Sequence, residues 1–296
     1  MPHKDSQSNN NYFSVRILLD DAVQCLSAAG IDDSTVDAEL LLAHVLGVSR
    51  GRVQALHVLD APIEAAHADR FLAFIQRRTE REPLQHLTGV AFFRALALEV
   101  GSGVFIPRPE TEQVVQYAID ALRACAQPIP VGVDLGTGSG AIALAMATEV
   151  PHAQIYAIEN SPQAFVWAQR NIQRLSLGNV RALFSDIATA LPEVTHGVDV
   201  VISNPPYIPD RAVPRDPEVR LFDPAAALYG GADGLDTVRV VSRVAWRLLK
   251  PGGTLVIEHG ELQGEAIRLI LADGGWRSAR THPDLTMRDR ATTALR

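Results

Sequence analysis

The chain has 296 residues, enough for one full-sized domain and a small one, and its 47% hydrophobic and 21% charged residues are the balance of a soluble globular enzyme. A formal net charge of −7 argues against a protein whose main task is to grip a nucleic-acid backbone. The two cysteines, Cys25 and Cys125, lie far apart with no CxxC pair and no Cys/His cluster of zinc spacing, so free, buried thiols and no metal are expected.

In chain order, residues 1–13 are polar and Asn-rich, and they read as a disordered tail rather than a signal peptide. No apolar run reaches the ~18 residues that a spanning helix needs, so the expected location is the cytoplasm, with no membrane contact. Residues 14–81 read as a small helical domain. Leu18, Ala22, Cys25, Leu26 and Ala29 fall at helical spacing until Gly30 stops the helix. A second helix starts near Asp32 or Ser34 and carries Ala38, Leu41, Leu42, Val45 and Leu46 to a stop at Gly47. A third, over 63–78, carries Ala66, Phe71, Phe74 and Ile75.

Residues 82–107 change character. Phe92, Phe93, Leu96, Leu98 and Val100 include an alternating run, which predicts a hairpin or short strands as the linker. Over 108–296, strand-length apolar runs at 131–135, 154–158, 180–184, 198–202 and 254–257 are separated mostly by helical stretches at 141–149, 163–175 and 235–249. That alternation means an α/β, doubly wound, mainly parallel sheet covered on both faces. Such sheets bind ligands at the carboxyl ends of their strands, here just after Leu135, Ile158, Phe184 and Ser203.

Four signals stand at those ends. Asp134-Leu135-Gly136-Thr137-Gly138-Ser139-Gly140 gives a GxGxG loop between strand and helix, which can cradle a nucleotide-like cofactor or be a plain tight turn. Glu159, about twenty residues past the loop, stands where a carboxylate accepts hydrogen bonds from ribose hydroxyls. Asp186 can accept from an adenine amino group, or can simply cap a turn. Ser203-Asn204-Pro205-Pro206-Tyr207 is the most specific. Two consecutive prolines fix φ and remove two backbone donors, which leaves rigidly aimed carbonyls. The Asn204 side chain adds an acceptor and Tyr207 a flat face. The group suits a planar –NH2 whose hydrogens are gripped while its lone pair faces a methyl donor.

The GxGxG loop, the acid on the second strand and the Asn-Pro-Pro-Tyr group resemble the class of S-adenosylmethionine methyltransferases that modify planar amino groups. Within it, 105–112 (FIPRPETE), Arg81-Glu82-Pro83-Leu84-Gln85 with Gly89, Pro224 with Ala227-Leu228, Gly230-Gly231, Asp233-Gly234-Leu235, Glu258 with Gln263-Gly264, Asp284-Leu285 and Arg288-Asp289-Arg290 are similar to the release factor glutamine methyltransferases (HemK type). So are Ala29-Gly30-Ile31, Asp37-Ala38-Glu39 and Leu40-Leu41-Leu42, and the likeness covers nearly everything after residue 14. It implies a seven-stranded Rossmann-like sheet over 108–296 and S-adenosylmethionine as cofactor. Asp134, Gly136, Thr137, Gly138, Ser139, Gly140, Glu159, Asp186, Ile187 and Asn204 would hold that cofactor. It also implies that Asn204, Pro205, Pro206 and Tyr207 are catalytic and bind substrate together with Arg108 and Glu110 at the pocket mouth. The implied partner is a class I, bacterial-type release factor methylated on the glutamine of its Gly-Gly-Gln loop. No direct nucleic-acid contact is implied, and a monomer is expected.

Three positions depart from the family. Glu159 stands where Asp is usual, Ile187 where a bulky aromatic is frequent, and Asp223 where Glu tends to stand. The alternatives are weaker. A nucleic-acid amino methyltransferase would need a target-recognition domain or a basic groove. A ribosomal-protein glutamine methyltransferase fits poorly with the intact IPRPETE segment. A non-catalytic scaffold would tolerate decay of the Asn204 group.

Overall fold

The computed structural model describes residues 12–296, which fall into two compact units divided between Thr88 and Gly89, inside the segment 82–107 expected as a linker. The first unit consists of β1 (Tyr12–Ser14), α1 (Val15–Ala28), α2 (Ser34–Leu46), α3 (Arg50–Val58), β2 (Pro62–Glu64), α4 (Ala65–Thr79) and α5 (Leu84–Thr88). Ser14 starts α1 by accepting the Ile17 N–H at 3.2 Å, and Gly47 ends α2 at a φ of 65°. The buried stripe of α1 is Val15, Leu18, Leu19, Ala22 and Leu26. At about 100° per residue, Cys25 falls off that stripe and is exposed, which corrects the expectation of a buried thiol. Ala66 is exposed for the same reason, and Ala68 takes its place beside Phe71 and Ile75. Inside the unit, Arg78 Nε donates to Asp37 at 2.7 Å with both side chains buried. The expected tail lies outside the described residues through position 11. Tyr12 and Phe13 instead belong to β1, where Phe13 pairs with Ile63 across two antiparallel strands too short to signal themselves.

The second unit begins with the hairpin β3 (Val90–Phe93) and β4 (Leu96–Glu99). It continues through α6 (Pro109–Ala124), β5 (Val131–Leu135), α7 (Ala141–Glu149), β6 (Gln154–Glu159), α8 (Pro162–Leu175), β7 (Val180–Phe184), β8 (Val198–Ser203), α9 (Pro217–Phe222), α10 (Ala225–Leu228), α11 (Asp236–Leu248), β9 (Leu249–Glu258), α12 (Gly264–Asp273), β10 (Arg277–Pro283) and β11 (Asp289–Leu295). Seven strands form one sheet in the order β10, β11, β9, β8, β5, β6, β7. The run β9 to β7 is parallel, and β11 is antiparallel to both neighbours.

Two apolar layers sandwich the sheet. One packs Val114, Val115 and Ile119 of α6 and the buried apolar run from Ala141 to Ala147 of α7 on one face. The other packs Val238, Val241 and Ala245 of α11 and Ile267 of α12 on the opposite face. The alanines of α7 let that helix lie close on the strands, and each fully buried Leu, Ile or Val contributes roughly 1.5–3 kcal/mol. The strand order reverses between β5 and β8, so the crevice for a ligand opens at their carboxyl ends. Among the described residues, no helix is long and apolar enough to cross a membrane.

Candidate active site

On the β5 side of the crevice, the N–H groups of Gly136 and Thr137 both donate to the Ile158 carbonyl, at 2.9 and 2.8 Å, and pin the loop to the end of β6. Gly136, Gly138 and Gly140 all have positive φ, a backbone that side-chain-bearing residues adopt only under strain. The Gly138 N–H donates to Glu159 Oε2 at 2.8 Å. Glu159 Oε1 accepts from the N–H groups of Asn160 and Ser161, at 3.0 and 2.8 Å, so the longer acid folds back onto the loop it faces.

Asp134 is fully buried beneath the loop. Its Oδ2 accepts from the Thr137 hydroxyl at 2.5 Å and the Ala143 N–H at 3.2 Å, while Oδ1 is buried with no hydrogen-bond partner. Burial pushes its carboxyl up to about 7 against those two hydrogen bonds.

On the β8 side, the Ser203 hydroxyl donates to the Leu135 carbonyl at 2.6 Å and ties the two strand ends together. The Asn204 to Tyr207 turn is then fixed from outside. Gln263 Nε2 donates to the Tyr207 carbonyl at 2.9 Å, and Ile208 pairs with Tyr229. Gly234 sits so close that a Cβ there would lie 2.2 Å from the Tyr207 oxygen, and one at Gly230 would lie 2.3 Å from the Pro206 oxygen. Both positions need glycine for close approach. Asn204 Nδ2 donates to Thr111 Oγ1 at 3.4 Å. The Tyr207 hydroxyl is pushed up to about 12 by burial, with the nearby Glu258 adding to the shift and the Arg290 guanidinium opposing it.

These parts enclose a cavity of about 390 Å³. Gly136 to Ser139, Glu159, Ile187, Asn204 to Tyr207 and Arg108 line it, as does Thr111. Four expected residues do not line it. Asp134 lies beneath the loop, and Gly140 is the N-cap of α7. Asp186 is exposed, with Oδ1 accepting the Ala188 N–H at 2.8 Å, which is the plain cap weighed above. Glu110 is exposed in the first turn of α6. Arg108 lies over the Phe105 ring at 4.9 Å and pairs with Asp223, which is buried. A second groove, along β10 and β11, contains none of the expected residues. Thr111, Glu258 and Arg290 were not marked as site residues by their spacing; only the family motifs in which they stand could have flagged them.

Residues 18–89 match the family described as PrmC N-terminal domain, and residues 131–281 match a methyltransferase domain family. The release factor glutamine methyltransferase of Streptomyces coelicolor is 47% identical over 92% of this chain and 95% of its own length. That of Mycolicibacterium smegmatis is 43% identical over 95% and 98%. A 4-amino-L-phenylalanine/4-methylamino-L-phenylalanine methyltransferase of Streptomyces pristinaespiralis is 37% identical over 94% of each chain. Matched over nearly its whole length by such relatives, and with its Asn204 to Tyr207 turn lining one cavity with a glycine loop at the switch point of its sheet, the chain belongs to the release factor glutamine methyltransferase family.

Proposed function

We propose that this enzyme transfers a methyl group from S-adenosylmethionine to the side-chain amide nitrogen of the glutamine in the Gly-Gly-Gln loop of class I, bacterial-type release factors. It acts as a cytoplasmic monomer, and its N-terminal helices hold the body of the factor. The observation that carries the reading is the Asn204 to Tyr207 turn, intact and facing the glycine loop across one cavity, in a chain 47% identical to a release factor glutamine methyltransferase.

The residues present fit the cofactor. The Gly136 to Ser139 backbone offers a cradle without Cβ atoms at its glycines, held from beneath by Asp134 through the Thr137 hydroxyl, and Glu159 offers oxygens to ribose hydroxyls. Ile187 supplies an apolar contact for the adenine, and Asp186 reaches the adenine edge only if it leaves its cap. When bound, S-adenosylmethionine supplies a methyl group on a sulfonium that departs as a neutral thioether. An amide nitrogen is a weak nucleophile because its lone pair is delocalised into the carbonyl. Asn204 Oδ1 and the Pro205 carbonyl accept the two amide hydrogens and localise that lone pair, while Pro206 and Tyr207 hold the amide plane. Arg108 and Glu110 meet the peptide at the mouth. Positioning supplies much of the rate, and the extra proton leaves to water.

The test is methyl transfer from radiolabelled cofactor to a recombinant release factor, to a copy with the loop glutamine changed to alanine, and to free 4-amino-L-phenylalanine. Label on the first alone is expected. Label on both factors moves the target to another residue, and label on the free amino acid alone replaces the substrate.

A further inference from the structure

β8 and β9 run parallel with Ser203 opposite Ile257, so Asn204, the first residue past β8, stands beside Glu258, the last residue of β9. Glu258 is 2% exposed and does not line the cavity. The Thr111 and Asn204 side chains lie beside its carboxylate and favour its charged form, and Asn204 Nδ2 donates to Thr111 Oγ1 at 3.4 Å. Arg290 faces it from β11 and Glu110 from α6, while His259, next along the chain, turns instead to the Thr292 hydroxyl at 2.8 Å. One carboxylate oxygen, Oε2, is buried without a partner. A buried acid left partly unsatisfied is a burden on the fold that an apolar residue would not impose, so its presence under the site asks for a reason in the chemistry.

An ionised carboxylate has no proton to donate, and its neighbours can only turn donors toward it. An amide that points Nδ2 at this layer points Oδ1 the opposite way, toward the cavity. We propose that Glu258 is a positioning residue for methyl transfer, whose carboxylate fixes the flip of the Asn204 amide so that Oδ1 rather than Nδ2 meets the substrate –NH2. The inference rests on the assignment of Asn204 as the grip on the substrate amide. Protonation reverses the effect. The acid becomes a donor, Asn204 Oδ1 turns to it, and Nδ2 then opposes the substrate –NH2 donor to donor. Burial pushes Glu258 up to about 7; Glu110 adds to the shift, while Thr111, Arg290 and Asn204 oppose it. Turnover at saturating substrates therefore rises with pH through neutrality.

Asp134 titrates in the same range on the cofactor side, so variants separate the two groups. The experiment measures kcat, KM for the release factor and cofactor affinity by calorimetry over roughly pH 5.5–9 for the wild type, Glu258→Ala, Glu258→Gln and Asn204→Ala. Glu258→Ala lowers kcat about tenfold or more with cofactor affinity within about twofold. The isosteric Glu258→Gln keeps an acceptor but cannot titrate, so it recovers part of kcat and flattens the acidic limb. Wild-type kcat in Glu258→Ala, or an unchanged acidic limb in Glu258→Gln, overturns the proposal. If the alanine variant does not fold, the glutamine profile decides alone. A wild-type enzyme that leaves the release factor unlabelled sinks the substrate reading and this inference together. An active wild type with a dead Asn204→Ala and unaffected Glu258 variants sinks this inference alone.

Discussion

Around the Gly136 to Gly140 loop the holding contacts are short in sequence, whereas around Asn204 to Tyr207 they are long. Thr137 reaches Asp134 three residues back, and Gly138 meets Glu159 twenty-one residues on. The Asn204 turn is gripped by Thr111, 93 residues earlier, and by Gln263, 56 residues later, with Gly230, Gly234 and Glu258 packed beside it. The cofactor half is thus set by local geometry at a strand end, and the acceptor half by tertiary packing of a turn that has no internal hydrogen bond of its own to spare. Damage to the first should appear in cofactor affinity, and damage to the second in turnover.

The largest effect is expected from Asn204→Ala, which removes the proposed substrate acceptor outright. Turnover at saturating cofactor should fall about a hundredfold or more, measured as methyl transfer to the release factor. Near-normal turnover would falsify the role given to this amide. Next comes Gly234→Ala. Its Cβ would meet the Tyr207 carbonyl at 2.2 Å, and Gly234 has a φ of 76°, so the turn must shift. A displacement of the order of 1 Å lowers kcat by roughly ten- to a hundredfold while leaving cofactor affinity nearly intact. If the loss appears instead in cofactor binding, the two halves are mechanically one.

The cofactor half is sharpened by Glu159→Ala, which strips the acceptor from the N–H groups of Gly138, Asn160 and Ser161 together with the proposed ribose contact. Cofactor KM should rise about tenfold with kcat at saturation largely kept, and Glu159→Asp should fall between. A kcat loss with unchanged KM contradicts the division.

The same division explains what the sequence made legible. The five parallel strands β5 to β9 announce themselves as apolar runs, β5, β6 and β8 being largely buried between the two layers, and the glycine loop and Glu159 follow at fixed local offsets. β10, with the sequence RSARTHP, is a polar edge strand, and its neighbour β11 alternates weakly; neither carries the run that betrays a central strand. Without the family resemblance, seven strands would have been counted as five. α6 was seen only as the segment after Arg108. Its apolar positions, Val114, Val115, Ala118, Ile119 and Leu122, have helical spacing, and Pro109 at its start suits the first turn of a helix. In the site, Asn204 to Tyr207 was legible because its chemistry is contiguous. Thr111, Glu258 and Arg290 were not, because nothing local distinguishes a threonine in a helix or a glutamate at a strand end from ordinary surface residues until the fold brings them under one amide. Asp186 shows the converse, since an acid at the right strand end spends its oxygen on a turn N–H.

Asp134→Asn tests the smallest effect, and it sets stability against binding. The folded-state pKa of about 7 lies above the ordinary carboxyl value of 3.8, so between those values the folded chain holds a proton that the unfolded chain has lost. Stability from this group is therefore present at low pH and is lost as pH rises through that window. At about pH 8 the wild type carries a buried charge whose Oδ1 has no partner, and an asparagine removes the charge while keeping an acceptor for Thr137 and Ala143. The cofactor-free variant should melt about 2–5 °C above wild type at pH 8, and the gap should close toward pH 5. Glu258 adds a slope of the same sign, so the variant keeps part of the pH dependence rather than none. Cofactor affinity should fall at the same time, because Asp134 holds the glycine loop from beneath through the Thr137 hydroxyl, and a neutral amide holds it less strongly than a carboxylate. Calorimetric melting with and without cofactor separates the two terms. A variant that melts below wild type at pH 8 would make Asp134 an anchor of the loop and move the origin of the loop's geometry from its glycines to its acid.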